Sequence, residues 1–171
     1  MGKENDEQFV EAITTEDELG SVIRSHIYIE HELSEFIRAS CPNSDALKGF
    51  EYSEKIRIAI ALGLHPKWKP ALELMGNIRN RFAHRLDYQI TPQDAAAFSK
   101  SFTDFAQADI VAGYQDMRKT SASPFPKDFG ANAPRIRVMH CMIYLRAGLI
   151  IETGSVSKDR QIHARSETEG A

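Results

Sequence analysis

The sequence predicts an all-α protein, a bundle of about five to six helices. Apolar residues recur at steps of three and four along much of the chain, which is the spacing of one face of an α-helix. Residues typical of helix ends flank these stretches, whereas no stretch alternates apolar and polar residues between hairpin turns. With 42% hydrophobic and 26% charged residues among 171, the composition predicts a globular domain with a core.

Three parts of the chain differ in composition. Residues 1–14 form an acidic N-terminal segment, in which Asn5 to Ile13 predicts a short first helix. Residues 15–152 predict a single helical domain. Residues 153–171 are polar and charged, and we expect them to be a disordered tail.

The second predicted helix opens with a capping box formed by Thr15 and Glu18. Two polar side chains, His26 and Glu30, lie within its apolar face and are one helical turn apart. The segment CPNSDALKG then breaks the pattern with proline and glycine. The apolar positions of this helix are Leu19, Val22, Ile23, Ile29, Leu33, Phe36 and Ile37.

Two shorter helices follow, from Glu51 to about Leu64 and from Lys69 to about Phe82. Gly63 is the predicted C-terminal cap of the first. Between them, Trp68 in HPKWKP is either a partly exposed anchor or a lid over the core. The predicted face of the second comprises Leu72, Met75, either Ile78 or Arg79, and Phe82.

The strongest helix start in the sequence is at Thr91, the predicted N-cap, with Pro92 in the first helical position and Asp94 in the first turn. One helix is predicted from there through ITPQDAAAFSKSFTDFAQADIVAGYQDM, with phenylalanines 98, 102 and 105 on its apolar face. A loop rich in Ser, Pro and Gly comes next, and a last helix extends to about Gly154. Its in-phase apolar residues are Val138, Cys141, Met142, Leu145 and Leu149.

The C-terminal end of the Lys69 helix carries an unusual group of polar side chains, namely Arg79, Asn80, Arg81, His84 and Arg85. From position 65 to position 85 there are five Lys or Arg and one acidic residue, so this part is basic within an acidic protein. Such a patch is a candidate site for catalysis on RNA or for binding an anion or nucleic acid. It is also what a well-capped, soluble helix end looks like, since cations there complement the helix dipole.

Ordinary structural roles are available for each of these side chains. Asp87 could pair with Arg81 or Arg85 on the surface, and His84 could cap the last carbonyls of the helix. Asn80 and His84 share a helix face, whereas Arg79 points about 140° away from His84 and could meet it in a groove only if the helix frays near its end.

Charge and cysteine content exclude several function classes. A net charge of −3 and a pI near 6.1 leave no whole-molecule surface for nucleic acid, so any such binding needs a local patch. Cys41 and Cys141 match no metal-ligand spacing and are predicted to be free thiols. No signal sequence, membrane span, metal site or nucleotide-binding glycine motif is recognisable, and we expect a cytoplasmic protein without a cofactor.

Several motifs in series resemble the HEPN superfamily and, within it, the mannitol operon repressor type. They are SEKIRIAIALGL, then ALELMGNIRNRFAH, then the capped ITPQDAAAF, and the resemblance covers roughly Asp17 to Phe105. It implies an HEPN-like bundle. In catalytically active HEPN proteins, the Arg and His of the Arg-x4-His motif act on RNA without a metal. Those residues are Arg79 and His84 here, and Asn80 follows the arginine.

The resemblance implies two different functions. As a relative of the mannitol operon repressors, the chain is expected to be a regulatory or interaction protein, acting as a homodimer or through a protein partner. No helix-turn-helix with a basic recognition helix is recognisable, so direct operator binding is not expected. The alternative is a metal-independent endoribonuclease, in which His84 moves a proton and Arg79 stabilises phosphate charge.

In either case, His26 and Glu30 are candidates to line the same cleft as the Arg-x4-His motif. The other interpretation is a buried polar pair whose members satisfy each other in the core. The sequence leaves these two interpretations open.

Overall fold

The structure, a computed structural model, describes residues 8–9, 17–44, 49–120 and 126–169. These residues contain α-helices and short 3-10 turns but no β-strand, which confirms the all-α prediction. The helices are α1 (Glu18–Ser40), α2 (Tyr52–Ala61), α3 (Lys69–His84), α4 (Pro92–Lys100), α5 (Asp104–Thr120) and α6 (Pro134–Glu169).

The core forms where α1 packs along α6. This is the most extensive helix pair in the described part of the chain, and α4 also packs on α6. The shorter helices α2 and α3 pack against α1 and against each other. The functional candidates lie on this α1–α2–α3 side.

The start of α1 differs from the prediction. Its N-cap is Asp17, whose carboxylate accepts a hydrogen bond from the backbone N–H of Gly20 at 2.7 Å. Thr15, which the sequence suggested as the capping residue, lies outside the described residues. Both residue types are good N-caps, so the sequence alone does not decide which of them begins the helix.

The predicted helix from Asn5 to Ile13 is described only at Gln8 and Phe9, which are helical. The rest of that segment and most of the acidic stretch 1–14 lie outside the described residues. Phe9 is buried and makes an edge-to-face contact with Tyr28 of α1. This contact brings one residue of the N-terminal segment onto the domain.

Gly63 ends α2 as predicted. Its φ of +106° is in the left-handed region, which favours glycine. The Leu64 N–H donates to the Ala59 carbonyl and the Gly63 N–H to the Ile60 carbonyl, at 2.9 and 3.1 Å. These two bonds are the Schellman motif, which satisfies the last carbonyls of the helix.

The single helix predicted after Thr91 is wrong, because the structure divides it into α4 and α5. The turn is at residues 101–103. Thr103 begins the second helix: its hydroxyl accepts from the Ala106 N–H and its carbonyl from the Gln107 N–H. An N-cap threonine with Asp104 behind it is therefore a stronger signal here than the uninterrupted apolar spacing.

The last helix is longer than the sequence predicts. The structure continues α6 to Glu169, through the region where a disordered tail was expected from residue 153. Gly154 lies inside this helix, where one glycine costs only about 1 kcal/mol relative to alanine. The turn after it is anchored, because Val156 packs against the core and the Ser157 hydroxyl donates to the Thr153 carbonyl.

Trp68 is a lid over the core, not an exposed anchor. It is 5% exposed, and its indole N–H donates to Glu152 of α6 at 2.8 Å. The ring lies directly against the backbone of α6 at Gly148, where a Cβ atom would be 2.1 Å from the indole. Close approach between the 3-10 turn before α3 and α6 therefore depends on that glycine.

Both cysteines are free, as predicted. Cys141 is buried within α6, and its burial raises the pKa of the thiol to about 12. A thiol in this state is a core packing group, not a nucleophile.

His140 should make stability depend on pH. It lies in the core against the rings of Tyr114 and Phe129, and burial lowers its pKa from 6.5 to about 4. Below about pH 6.5 this histidine therefore binds a proton more readily in the unfolded chain than in the folded chain. The free energy of unfolding consequently decreases as pH falls. Between about pH 7 and pH 4.5 we expect a loss of about 2 kcal/mol from this residue.

Urea unfolding at a series of pH values measures this effect. The His140→Phe variant keeps an aromatic ring but cannot titrate, so its stability should fall less steeply over the same interval. Parallel pH dependence in wild type and variant would contradict the assignment.

Candidate functional site

Helix α3 presents one apolar face and one polar face. The predicted positions Leu72, Met75 and Phe82 are buried, Ile78 and not Arg79 fills the position left open, and Ala71 is buried as well. The polar face points away from the core and carries Arg79, Asn80 and His84, all of them exposed. The helix ends at His84, and Arg85 continues in extended backbone.

Arg79 and Asn80 line a cleft of about 930 Å³ between α1, α2 and α3. His26 and Glu30 of α1 line the same cleft, so the structure brings these four predicted residues to one place. Within it, the guanidinium of Arg79 donates to the side-chain oxygen of Asn80 at 3.0 Å. This hydrogen bond holds the two neighbouring side chains in a fixed relation.

His26 and Glu30 do not form a self-contained buried pair. The distance from His26 Nδ1 to Glu30 Oε2 is 3.7 Å, which is too long for a hydrogen bond. Glu30 instead accepts from the ammonium of Lys55 in α2 at 2.7 Å. Lys55 was not among the predicted site residues, because only tertiary packing of α2 on α1 brings it here.

His26 is kept neutral by its surroundings. Burial lowers its pKa below 6.5; the Glu30 carboxylate opposes this shift, and the charges of Arg79 and Lys55 reinforce it. The influence of Arg79 means that its guanidinium lies within electrostatic range of the imidazole. A neutral imidazole in a cleft can accept as well as donate a hydrogen bond.

Tyr52 forms part of the wall of the cleft. Its ring contacts the His26 imidazole with 4.4 Å between centroids, and its hydroxyl donates to the Leu72 carbonyl at 2.9 Å. The ring also lies against α3 at Gly76, where a Cβ atom would be 3.0 Å from it. Burial raises the pKa of the Tyr52 phenol, so this group stays protonated and positions the ring.

His84 lies in a second hollow, which is shallower and has a volume of about 370 Å³. Arg85 lines it as well, and Asn77 and Asn80 line both this hollow and the cleft. Neither the His84 nor the Arg85 side chain has a hydrogen bond or ion pair within the described ranges. His84 therefore does not cap the helix, and its imidazole is available to a ligand or a partner.

Arg81 has a structural role. Its guanidinium pairs with Asp94, which is 5% exposed, and donates to the Tyr88 hydroxyl at 3.2 Å. Thr91 caps α4 as predicted and forms a capping box with Asp94, because the Thr91 hydroxyl accepts from the Asp94 N–H and the Asp94 carboxylate accepts from the Thr91 N–H. Arg81 thus ties the end of α3 to the start of α4, and Asp87, the partner that the sequence suggested, is not the one it uses.

The network around Asp94 favours the ionised carboxylate. Burial by itself would raise the pKa of Asp94, but hydrogen bonds from Thr91 and Tyr88 and the charge of Arg81 lower it overall. Tyr88, which the sequence did not single out, therefore belongs to this junction. No sequence pattern at Tyr88, three residues before the Thr91 cap, indicated that it would contact Arg81 and Asp94.

One chain does not place Arg79 and His84 in the same hollow. Arg79 opens into the large cleft and His84 into the shallow one, with Asn80 between them. This separation follows from the helix, on which residues five apart point about 140° from each other. In this arrangement, Arg79 and His84 of one chain do not meet at one phosphate group, as a reaction that uses both side chains would require.

No family model matches the sequence, and neither a curated protein nor a solved structure matches it. Over the described residues, no group of three or more His, Cys, Asp or Glu side chains is placed to hold a metal ion. None of the helices described is both long enough and apolar enough to span a membrane.

Proposed function

We propose that this chain is a cytoplasmic regulatory or interaction protein that acts as a homodimer or through a protein partner, in the manner of the mannitol operon repressor family that its motifs resemble. The observation that carries the proposal is an exposed apolar surface formed by α1 and by Leu86, which follows the end of α3. Leu86 is fully exposed, Ile27 is 59% exposed and Leu19 is 47% exposed.

These apolar side chains are grouped together on the surface. Leu19, Ile23 and Ile27 recur every four residues on α1, which aligns them along one side of the helix. Leu19 and Leu86 line one hollow of about 520 Å³ together with Arg85. Apolar side chains grouped beside an unpaired arginine are typical of protein–protein contacts, in which such groups become buried.

Self-association should therefore depend on this surface. In sedimentation velocity runs over a range of concentrations, we expect wild type to form dimers and Leu86→Glu to remain monomeric, because a buried carboxylate without a partner is costly. The matched control is Ile151→Glu. Ile151 is 69% exposed on α6 and lies 16 residues, or about 24 Å along the helix, beyond Arg135, which lines the Leu19–Leu86 hollow.

Dimerisation that survives Leu86→Glu would contradict the assignment of this surface. A wild type that is monomeric at every concentration would contradict homodimerisation and leave a different protein as the partner. Both variants change exposed residues, so circular dichroism should show an unchanged fold.

A second function, metal-independent endoribonuclease, is favoured by one specific observation. His84 and Arg79 are both exposed, and neither is paired with a carboxylate within the described ranges. Acid–base chemistry at a ribose hydroxyl needs such an available imidazole, and a transferring phosphoryl group needs a free guanidinium. This function predicts RNA cleavage in EDTA that is lost in both His84→Ala and Arg79→Ala.

A further inference from the structure

The cleft between α1, α2 and α3 has a lining in which charges of both signs are balanced. Three cationic side chains line it, Arg57, Lys69 and Arg79, and three acidic ones, Glu30, Glu51 and Glu73. A balanced lining does not concentrate a polyanion such as the backbone of a nucleic acid. It suits a small ligand whose own charges complement those that remain unpaired.

Four of these six charged groups already have an opposite charge as partner. Because those pairs neutralise one another, they leave little net field in the cleft. The pairs are Lys69 with Glu73 at 3.8 Å, Arg57 with Glu54 at 3.9 Å and Glu30 with Lys55 at 2.7 Å.

Arg79 and Glu51 are the two that remain. The hydrogen bond of the Arg79 guanidinium is to the neutral amide of Asn80, and no carboxylate of the described residues pairs with it. Glu51 is the N-cap of α2, where its backbone N–H donates to the Glu54 carboxylate at 2.9 Å, and no cation of the described residues pairs with its own carboxylate. The cleft therefore offers one unneutralised cation and one unneutralised anion.

We propose that this cleft binds a small zwitterion, with the acidic group of the ligand on Arg79 and its amine on Glu51. A guanidinium fork matches a carboxylate or a phosphate monoester with two parallel hydrogen bonds, and a carboxylate accepts from an ammonium. The volume of about 930 Å³ is in the range of small-molecule sites. The Ser53 hydroxyl and the Asn77 amide add neutral hydrogen-bonding groups to the lining.

The proposed zwitterion site goes beyond the proposed regulatory function and does not depend on it. The apolar surface of Leu19 and Leu86 lines a different hollow, and no residue is shared between that hollow and the cleft. A failure of self-association would leave the zwitterion site untouched, and the converse also holds.

The test is an NMR titration of the ¹⁵N-labelled full chain with defined probes. The zwitterions are β-alanine, γ-aminobutyrate and O-phosphoethanolamine, and the matched single-charge compounds are butyrate and butylamine. We expect at least one zwitterion to bind about tenfold or more tightly than either single-charge compound. Its chemical-shift changes should centre on Tyr52, Gly76 and Asn80. A higher affinity for O-phosphoethanolamine than for β-alanine would identify phosphate as the acidic group, and the reverse would identify carboxylate; both orders support the proposal.

Two variants test separately how the acidic group and the amine of the ligand are bound. Arg79→Gln should reduce the affinity for the best zwitterion to that for butylamine, and Glu51→Gln should reduce it to that for butyrate. The glutamine in the second variant leaves the cap of α2 in place, because the bond from the backbone N–H of residue 51 to the Glu54 carboxylate is unchanged. Arg85→Gln changes a residue that does not line the cleft, so it should leave the affinity for the zwitterion unchanged. Equal affinity for zwitterions and single-charge compounds, an absence of saturable shifts, or equal losses in all three variants would overturn the proposal.

Discussion

The substitution Glu32→Ala is expected to destabilise the fold by about 3–5 kcal/mol, since it removes the carboxylate that Glu32 places against a buried guanidinium. Glu32 of α1 accepts from Nε and Nη2 of Arg146 in α6 at 3.1 and 3.0 Å, and both residues are buried. Arg146 also lies over the rings of Phe9 and Tyr28, with its guanidinium carbon 4.8 and 5.4 Å from their centroids. The ion pair therefore connects the two helices that form most of the core.

Urea unfolding followed by circular dichroism measures this loss. The matched control is Glu35→Ala, one turn further along α1, whose partner Arg38 is exposed and whose loss should cost about 1 kcal/mol or less. If Glu32→Ala is too unstable to study, the double variant Glu32→Leu with Arg146→Met should recover much of the stability, because neither charge then remains buried alone. A cost for Glu32→Ala no larger than that for Glu35→Ala would contradict this account of the core.

Gly148→Ala should be the next most damaging change, at about 3 kcal/mol. The added Cβ would lie 2.1 Å from the Trp68 ring, far inside van der Waals contact. The ring cannot move away cheaply, because it is buried and its N–H is held by Glu152. The strain of overpacking therefore exceeds the gain of about 1 kcal/mol in helix propensity that alanine normally brings.

The same helix provides the control for this prediction. Gly154 has no atom within 4 Å of its added Cβ, so Gly154→Ala should leave stability unchanged or raise it by up to about 1 kcal/mol. Trp68 is the single tryptophan of the chain, so its fluorescence reports the displacement directly. We expect a shifted emission maximum in Gly148→Ala and none in Gly154→Ala. An unchanged spectrum and an unchanged melting temperature in Gly148→Ala would contradict the close packing.

The helices could be predicted from the sequence because their signals are local. The apolar spacing of α3, the Thr91 cap and the Gly63 terminator each involve residues within one or two turns of each other. Local signals failed where two of them competed. The Thr103 cap divides a stretch of continuous apolar spacing, and the anchored Val156 turn extends α6 past Gly154.

Much less of the candidate site could be predicted, because its contacts join distant parts of the chain. The Arg-x4-His motif identifies Arg79, Asn80 and His84 as unusual, and their exposure fits that interpretation. Helix geometry predicted the angle of about 140° between Arg79 and His84, but the sequence could not show the two hollows that these side chains line. It also could not show that Lys55 neutralises Glu30 from 25 residues away.

Arg81 shows how a motif can conceal a structural residue. It lies within the cationic cluster and was a candidate for nucleic-acid or anion binding together with Arg85. In the structure, Arg81 is engaged by Asp94 and Tyr88, whereas Arg85 remains available. Because propensity and spacing treat the two arginines alike, only the fold distinguishes them.

The measurement that most directly tests the central claim, an interaction protein and not a nuclease, is incubation of labelled mixed RNA with purified protein in EDTA. Wild type, His84→Ala and Arg79→Ala should be compared with Arg57→Gln, whose cation in the same cleft is already paired. The account predicts that none of the four cleaves RNA beyond the buffer control. Cleavage by wild type and Arg57→Gln that is absent in both alanine variants, and that leaves 2′,3′-cyclic phosphate ends, would contradict it and establish the ribonuclease.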